Sequence, residues 1–341
     1  MADSREIIFQ NDIITALQHQ GWLVGEASRY DKVNALYPED LIGYVQDAWP
    51  QRWEKFCKNN PHNPEQTLIQ KTVRELEKKS TLDVLRHGFK VPGVKIDLCS
   101  FKPDHGMNPE TAQRYQANRL RVVQEVSYSP HAREGNYNPR LDLVLFVNGI
   151  PTATLELKSE FKQSVERAKR QYKKDRPVKD PATRKAEPLL TFKRGALVHF
   201  AVSQDEVAMT TRLDGDKTFF LPFNQGTEDG GAGNPRAKDE NSYATAYLWE
   251  QLFAPDAWVR IIGRFLHLEK ITSEDLHGKR TTKETLIFPR YHQWDVVNRL
   301  IETTRKEGAG SRYLVQHSAG SGKSNSIAWV AHQLAQLYDD Y

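Results

Sequence analysis

Two acids and a lysine interrupt an otherwise strand-like stretch, RLDLVLFVNGIPTATLELKS, at residues 140–159. Glu156 and Lys158 are two residues apart, so in a strand they project from the same face. If the two apolar runs are adjacent antiparallel strands joined through NGIP, Asp142 points to the same side near one end. The three residues are then either exposed strand-edge charges or a site that does chemistry.

The chemistry that these residue types would serve is metal-assisted hydrolysis of a phosphodiester. Mg²⁺ prefers hard oxygen ligands, and Asp142, Glu156 and the backbone carbonyl of Leu157 could supply them. Lys158 beside the cation could orient an attacking water or neutralise a charged phosphorane. The residues predict an Mg²⁺ site at Asp142 and Glu156, although an acid followed at a distance by E-x-K also arises by chance.

A second candidate site lies in RYLVQHSAGSGKS, residues 312–324, which reads as an apolar strand, a glycine-rich turn and the start of a helix. A P-loop needs this order: backbone N–H groups cradle phosphates, Lys323 reaches the β and γ groups, and the Ser324 hydroxyl binds Mg²⁺. His317 stands where the motif G-x-x-x-x-G-K-[ST] has its first glycine, and a Gly/Ser loop with no ligand is the alternative. The predicted contacts to ATP and its Mg²⁺ are Gly320, Ser321, Gly322, Lys323 and Ser324.

Composition limits what the chain can be. Its 341 residues exceed one typical domain, and 38% hydrophobic residues are enough for packed cores. With a net charge of +4 the chain is not globally basic, so nucleic-acid contacts must come from local patches. Cys57 and Cys99 form no C-x-x-C pair, which argues against a zinc knuckle or a disulfide framework. No apolar run reaches the roughly 18 residues of a membrane span, and MADSREII lacks the order of a signal peptide, so we expect a cytoplasmic protein with no membrane partner.

Periodicity places these sites in an α/β chain. The first 90 residues read as mostly helical, beginning with a helix that buries Phe9, Ile13 and Leu17 on one face. From about 94 to 157 the period changes to that of strands separated by Pro, Gly and Asn turns. FKQSVERAKRQYKKDR then returns to helical spacing, and further strand-like runs follow.

Domain boundaries follow from these changes of period. We predict that residues 1–270 form one domain, with a helical N-terminus and a mixed-sheet core at about 94–223. The charged, glycine-containing stretch at 271–284 is the predicted linker. Residues 285–341 then begin a new β-then-helix unit that carries the P-loop.

The acids and the lysine follow the arrangement D-x13-E-x-K. This resembles the active-site signature of the PD-(D/E)xK nuclease superfamily, with Leu141 where that name has proline. The resemblance implies a restriction-endonuclease-like α/β fold, in which a mixed β-sheet is flanked by helices. In RecB-like nucleases a Gln-x-x-x-Tyr pair on the next helix lies beside the metal. Gln171 and Tyr172 are the candidates here, although Ala168 occupies the position four before the tyrosine.

Two further features bear on this site. An acid on an N-terminal helix often joins such sites, and nothing in the sequence singles out Glu6 or Asp12. Basic stripes at 169–179 and 183–194 are plausible tracks for double-stranded DNA, although charged helix faces are usually only solvated.

The P-loop resembles that of superfamily 2 helicases and translocases, so residues 285–341 would be the truncated start of a RecA-like motor domain. FPRYHQ upstream resembles the helicase element that reads adenine. This implies Gln293 on the adenine edge with Phe288 or Tyr291 packing nearby; the alternative is an ordinary amphipathic helix start. Because a Walker B acid and a water activator are missing, we expect no ATP hydrolysis by this chain alone.

The sequence as a whole resembles the restriction (R, or HsdR) subunit of type I restriction-modification enzymes. The resemblance is carried by the nuclease stretch, LVHFAVSQDEVAMTTRL, KTFFLPFNQG and HSAGSGKS. It implies an N-terminal fragment of a subunit that joins methyltransferase (M) and specificity (S) subunits, translocates double-stranded DNA with ATP and cuts it with Mg²⁺. Asp142, Glu156 and Lys158 would be the cleavage residues.

Two other interpretations stay open. One is a catalytically silent module for DNA binding or assembly. The other is a repair-type helicase-nuclease or a type III restriction subunit, which would share both motifs. The order of the motifs argues against type III, since those subunits have the nuclease after the motor.

Overall fold

The structure, a computed structural model, describes residues 4–103, 108–159, 164–237, 239, 242–274, 278, 280–318 and 320–337. The α-helices are α1 (Ser4–His19), α2 (Pro38–Ala48), α3 (Pro50–Asn59), α4 (Pro64–Lys78), α5 (Thr81–His87), α6 (Pro109–Gln116), α7 (Ser164–Lys174), α8 (Pro255–Arg260), α9 (Tyr291–Glu307) and α10 (Lys323–Leu334). The strands are β1 (Leu23–Gly25), β2 (Phe89–Val91), β3 (Val94–Ile96), β4 (Leu120–Ser127), β5 (Arg140–Val147), β6 (Ile150–Lys158), β7 (Val198–Ser203), β8 (Val207–Thr210), β9 (Leu221–Pro222), β10 (His267–Glu274) and β11 (Arg280–Ile287). None of the helices within these ranges combines the length and hydropathy that a bilayer span requires.

The N-terminal helices form as the periodicity predicts. Phe9, Ile13 and Leu17 are completely buried on one face of α1, because positions four apart lie above one another on a helix. The mostly helical interpretation misses one strand: Leu23–Gly25 forms β1, which pairs in parallel with β4. Three residues are too few for a period to be legible, so only the sheet reveals this strand.

A seven-stranded mixed sheet lies at the centre of the fold, in the order β1-β4-β5-β6-β7-β8-β9. Alternate residues of β5 enter two separate hydrophobic clusters. Leu143 and Leu145 pack with residues of α1 and α2, whereas Val144 and Phe146 pack with residues of α7. Both faces of the sheet are therefore covered by helices, which confirms the predicted α/β class with a mixed, helix-flanked sheet. VKIDLCSF, residues 94–101, opens the region from about 94 that we predict to consist of strands, but it contributes only β3, which pairs with β2 outside this sheet.

The central hairpin of the sheet is β5–β6, and it turns at Asn148 and Gly149. Both residues have positive φ, 49° and 76°, as a two-residue type I′ turn requires. The Asn148 side chain fixes the turn, since its Nδ2 donates to the Leu98 carbonyl (2.9 Å) and its Oδ1 accepts from the Arg119 N–H (2.6 Å). The turn in this way sets which residues of the two strands lie opposite each other.

Within its described residues, 271–274, 278 and 280–284, the predicted linker at 271–284 is mostly regular structure, whereas 275–277 and 279 lie outside the described part of the chain. Most of it lies in an antiparallel hairpin of β10 and β11, whose register pairs His267 with Ile287 and Glu274 with Arg280. The strands carry charged and threonine side chains that are largely exposed, which is why the sequence reads as a hydrophilic connection. The domain boundary that we place here stays a prediction.

A RecA-like sheet does not appear among the described residues of the P-loop region. Residues 312–316, predicted as a strand, form no regular structure, and Leu314 is 94% exposed. A parallel strand must be hydrogen-bonded to a neighbour, and no other described strand lies beside this segment, so the strand prediction is wrong for this structure. α9 and α10 instead pack on each other and on the rest of the chain; for example, Trp329 Nε1 donates to the Phe265 carbonyl at 2.8 Å.

Candidate active site

The β5–β6 hairpin brings Asp142 and Glu156 together at its open end. Leu143 lies opposite Leu155, so the adjoining residues Asp142 and Glu156 fall at the same level of the two strands. Oδ2 of Asp142 accepts a hydrogen bond from the N–H of Leu157 at 2.6 Å. The side chain of Asp142 therefore binds the backbone of β6 at the end of the β5–β6 hydrogen-bond pattern.

Glu156 is completely buried and is bound by an arginine that the sequence did not single out. Nε of Arg176 donates to Oε1 of Glu156 at 2.6 Å, and Nη2 donates to Oε2 at 3.2 Å. Arg176 follows α7 directly, in the basic stripe at 169–179 that we interpret as a DNA track. Its side chain is only 11% exposed, so this arginine belongs to the site and not to a solvated face.

Lys158 lies on the same strand, and a carboxylate from α1 fixes its position. Nζ of Lys158 donates to both carboxylate oxygens of Glu6, each at 3.1 Å. Asp12, the other N-terminal candidate, is elsewhere and accepts a hydrogen bond from the Tyr243 hydroxyl (2.5 Å). The structure thus places Glu6 and not Asp12 at the site, a choice that no local sequence pattern could make because 152 residues separate Glu6 from Lys158.

Two more side chains missed by the sequence reasoning border Asp142. Nε2 of Gln10, one turn after Glu6 on α1, donates to the Asp142 carbonyl at 2.9 Å. Glu125 on β4 has a φ of +54°, a left-handed conformation that a residue without glycine's freedom rarely adopts in a strand. Its carboxylate pairs with Arg140 at 2.7 Å. Strained residues of this kind often occur beside functional sites.

A cavity of about 450 Å³ opens at this end of the hairpin. Asp142 on its wall and the neighbouring Glu156 are poorly hydrated. Burial raises the pKa of Asp142 from 3.8 to about 6, against the lowering effect of the Leu157 N–H and the Lys158 charge. Burial, followed by the nearby Asp142 charge, also raises the pKa of Glu156. The residues lining the cavity are Glu6, Glu125, Ser127, Asn138, Pro139, Arg140, Asp142, Gln171 and Arg176.

The donor set fits a hard divalent cation. Asp142 and Glu156 are both desolvated, and the charge of Asp142 raises the pKa of Glu156, so a cation that the two carboxylates share would stabilise their charged forms. The N–H and C=O of one strand residue point to the same side; because the Leu157 N–H faces Asp142, its carbonyl faces the β5 side too. As the side chains stand, no three His, Cys, Asp or Glu residues within the described ranges converge on one point. A cation here would therefore rely on two carboxylates, a carbonyl and water, a combination that Mg²⁺ accepts.

The two candidates on α7 have different surroundings. Gln171 lines the cavity. Tyr172 is completely buried, and its hydroxyl is hydrogen-bonded to Oγ1 of Thr154 (2.8 Å), which also contacts Nδ1 of His199 (2.7 Å). Ala168, at the departure from the Gln-x-x-x-Tyr pattern, packs in the same apolar cluster as Tyr172. The helix therefore presents Gln171 to the site and buries Tyr172 beneath it.

Comparison with known proteins assigns the chain to a family. Residues 5–218 match the family model described as type I restriction enzyme R protein N terminus, and this range covers more than half of the 341 residues. The chain belongs to this family. The matched range includes every element that forms the cavity, from α1 to the segment after α7.

A relative of known sequence supports the same assignment. The chain is 24% identical over 343 residues to a protein of Methanocaldococcus jannaschii named as a type I restriction enzyme MjaVIIIP endonuclease subunit. The alignment covers 96% of this chain and 28% of the relative. The chain therefore spans little more than a quarter of the length of that relative.

In this R-protein chain the P-loop residues lie beyond the matched range. Gly322 has a φ of +82° and begins α10, and Nζ of Lys323 donates to the carbonyls of His317 (3.2 Å) and Ser318 (2.8 Å). The ammonium group of Lys323 is therefore hydrogen-bonded to carbonyls of its own loop. The structure brings Gly320, Ser321, Gly322, Lys323 and Ser324 together in one loop and helix start, and their binding of nucleotide stays a prediction.

The predicted adenine reader contacts this loop directly. Nε2 of Gln293 donates to the Gly322 carbonyl (2.9 Å), and its Oε1 accepts from the Arg290 N–H (2.9 Å). Phe288 and Tyr291, the proposed packing partners of adenine, are 5% and 8% exposed and belong to the main hydrophobic cluster. Gln293 is therefore adjacent to the loop, while both aromatic rings are occupied by core packing.

Proposed function

We propose that this chain is the nuclease region of a type I restriction R subunit and that it hydrolyses phosphodiester bonds of double-stranded DNA with Mg²⁺. The observation that carries the proposal is the convergence of Asp142, Glu156 and Lys158 at the open end of one hairpin, in a chain of this family. Glu6 completes the cluster from α1. The arrangement resembles that of a PD-(D/E)xK nuclease site, and this supports an active enzyme over a silent assembly module.

Asp142, Glu156 and the Leu157 carbonyl would hold the cation. When bound, Mg²⁺ polarises the phosphate and lowers the pKa of a bound water. Desolvation disfavours the charged form of both carboxylates, so a cation that neutralises them would be bound strongly. Gln171 on the cavity wall is placed to hydrogen-bond a water or a phosphate oxygen.

Lys158 contributes a fixed positive charge. Glu6 holds its ammonium group at the cavity, which limits the positions that the four-carbon side chain samples. An ammonium so placed stabilises the negative charge that grows on the phosphate oxygens as the nucleophile attacks. Glu6 is thus a positioning residue that acts through Lys158.

The remainder of the proposal concerns the full-length subunit. The exposed basic side chains at 169–179 and 183–194, which do not include Arg176, would contact phosphates without reading sequence. The loop at 320–324 and Gln293 would bind ATP with Mg²⁺ within a RecA-like domain that drives DNA translocation. Recognition of a DNA sequence would come from the M and S subunits, in a complex of the prokaryotic cytosol.

Nicking of supercoiled plasmid tests the nuclease directly. The protein is incubated in excess over DNA with Mg²⁺ and without ATP, beside Glu156→Gln and Lys158→Met. We expect wild type to nick and both variants to lose at least about a hundredfold in rate, because each removes a group that stabilises the transition state. Lys58→Met is the matched control, since Lys58 pairs with Glu54 on exposed α3 (2.7 Å). Equal rates for Glu156→Gln and wild type would refute the assignment of the site.

A further inference from the structure

The carboxylate of Glu156 is already occupied by a cation of the protein itself. The guanidinium of Arg176 takes both oxygens in a fork, at 2.6 and 3.2 Å. Arginine stays charged at any pH at which the protein is folded. A bidentate pair between a buried carboxylate and a guanidinium is among the strongest hydrogen-bonded pairs in proteins. Glu156 therefore has a permanent counter-ion in the absence of metal.

The same oxygens are the ones that the proposed metal site needs. Arg176 also lines the cavity with Asp142, so its charge lies where a divalent cation would enter. Two positive groups that share one carboxylate repel each other strongly in a poorly hydrated site. Full occupation by the guanidinium therefore opposes tight coordination of a metal by Glu156.

We propose that Arg176 competes with the divalent cation for Glu156, so that the metal binds tightly only when the guanidinium releases at least one carboxylate oxygen. The proposal rests on the metal site of the proposed function. Arg176 lies in a bend just after α7, next to Pro177 and outside any helix or strand. Its side chain can therefore change direction without breaking regular structure, and the cavity gives it room to do so.

The two possible roles of Arg176, competition with the metal and simple support of Glu156, predict opposite changes in metal affinity when Arg176 is removed. If Arg176 only positioned Glu156, removing it would loosen the carboxylate and weaken metal binding. If Arg176 competes, its removal frees both oxygens of Glu156 while Lys158 and Arg140 stay paired with Glu6 and Glu125, and metal binding becomes tighter. An unpaired buried carboxylate also destabilises the fold, so a variant without the guanidinium should depend on metal for its stability.

Calorimetric titration of the metal-free protein with Mn²⁺, without DNA, measures whether removal of the guanidinium raises or lowers the Mn²⁺ affinity. The variants are Arg176→Met, which removes the charge, and Arg176→Lys, which keeps it but loses the two-oxygen fork. We expect the Mn²⁺ dissociation constant to fall at least about tenfold for Arg176→Met, because a positive charge beside a carboxylate shifts its affinity for another cation by about one to three powers of ten, and to be intermediate for Arg176→Lys. Addition of Mn²⁺ should raise the melting temperature of either variant more than that of wild type.

Two controls keep the outcomes separate. Arg133→Met removes a comparable pair with a buried acid, Asp180 (2.7 Å), away from the cavity lining, and should leave Mn²⁺ binding unchanged. Glu156→Gln should lose tight binding. Unchanged or weaker Mn²⁺ binding by both Arg176 variants, with wild-type binding that depends on Glu156, would overturn the competition and leave the nuclease site standing. No Mn²⁺ binding by any variant would overturn both proposals.

Discussion

Replacing Asp142 by asparagine should stabilise the metal-free protein while abolishing cleavage. Burial keeps the Asp142 carboxyl protonated up to a pKa of about 6 in the folded chain, whereas its ordinary value is 3.8. The folded state therefore binds the proton more tightly than the unfolded state between these values. The free energy of unfolding falls as the pH rises from about 4 to about 6 and stays low above that.

The size of the effect follows from the pKa difference. About two pK units correspond to about 3 kcal/mol, which is the upper limit of what Asp142→Asn recovers at pH 7.5. The amide oxygen can still accept from the Leu157 N–H, so the backbone contact at 2.6 Å survives. We expect a gain of about 1 to 3 kcal/mol at pH 7.5 and almost none at pH 4, where the wild-type carboxyl is already neutral.

Urea denaturation in EDTA at both pH values measures this gain, and plasmid nicking with Mg²⁺ measures the loss of activity. Wild type and Asp142→Asn should differ in midpoint at pH 7.5 and coincide at pH 4. A variant that is less stable than wild type at pH 7.5 would refute the reasoning, because the aspartate charge would then stabilise the metal-free fold.

Three further predictions follow from the same geometry. Mn²⁺ affinity, measured by calorimetry, should fall by up to about tenfold per pH unit below about 6, because the cation must displace the Asp142 proton. In thermal melts Gly149→Ala should destabilise the fold by at least about 2 kcal/mol more than Gly135→Ala. Both glycines have positive φ, but only at Gly149 would a Cβ overlap the Tyr37 carbonyl. Gln171→Ala should slow nicking without lowering the melting temperature, whereas Tyr172→Phe should cost about 1 kcal/mol of stability and leave nicking near wild type; the reverse pattern would contradict the placement of the two residues.

The central hairpin was predictable from sequence because its signals are local. Alternation and the Asn148–Gly149 turn define both strands within 19 residues, from Arg140 to Lys158. The side chains of Glu156 and Lys158 share a face by the period of a strand alone. The periods also indicated a sheet region next to helical segments, and the resemblance to PD-(D/E)xK nucleases implied that the sheet is mixed and flanked by helices.

The rest of the site depends on contacts that no local pattern encodes. Arg176 contacts Glu156 because α7 packs on the sheet and ends near β6. In the sequence Arg176 is only one basic residue among several, so nothing marks it as a partner of Glu156. The sequence does not distinguish Glu6 from Asp12 as a site residue. The packing of α1 against the sheet places Glu6, and not Asp12, beside Lys158. At 312–316 a local pattern predicts a strand that the structure does not form. An apolar run becomes a strand only where a neighbouring strand pairs with it through hydrogen bonds.

The central claim is that Asp142 and Glu156 hold the catalytic cation, and the most direct measurement locates that cation. Crystals soaked with Mn²⁺ and measured at its absorption edge should show an anomalous peak at coordination distance from both carboxylates, with the Arg176 fork opened. An anomalous peak elsewhere and none at these two residues, in a protein that cleaves DNA with Mn²⁺, would contradict the account.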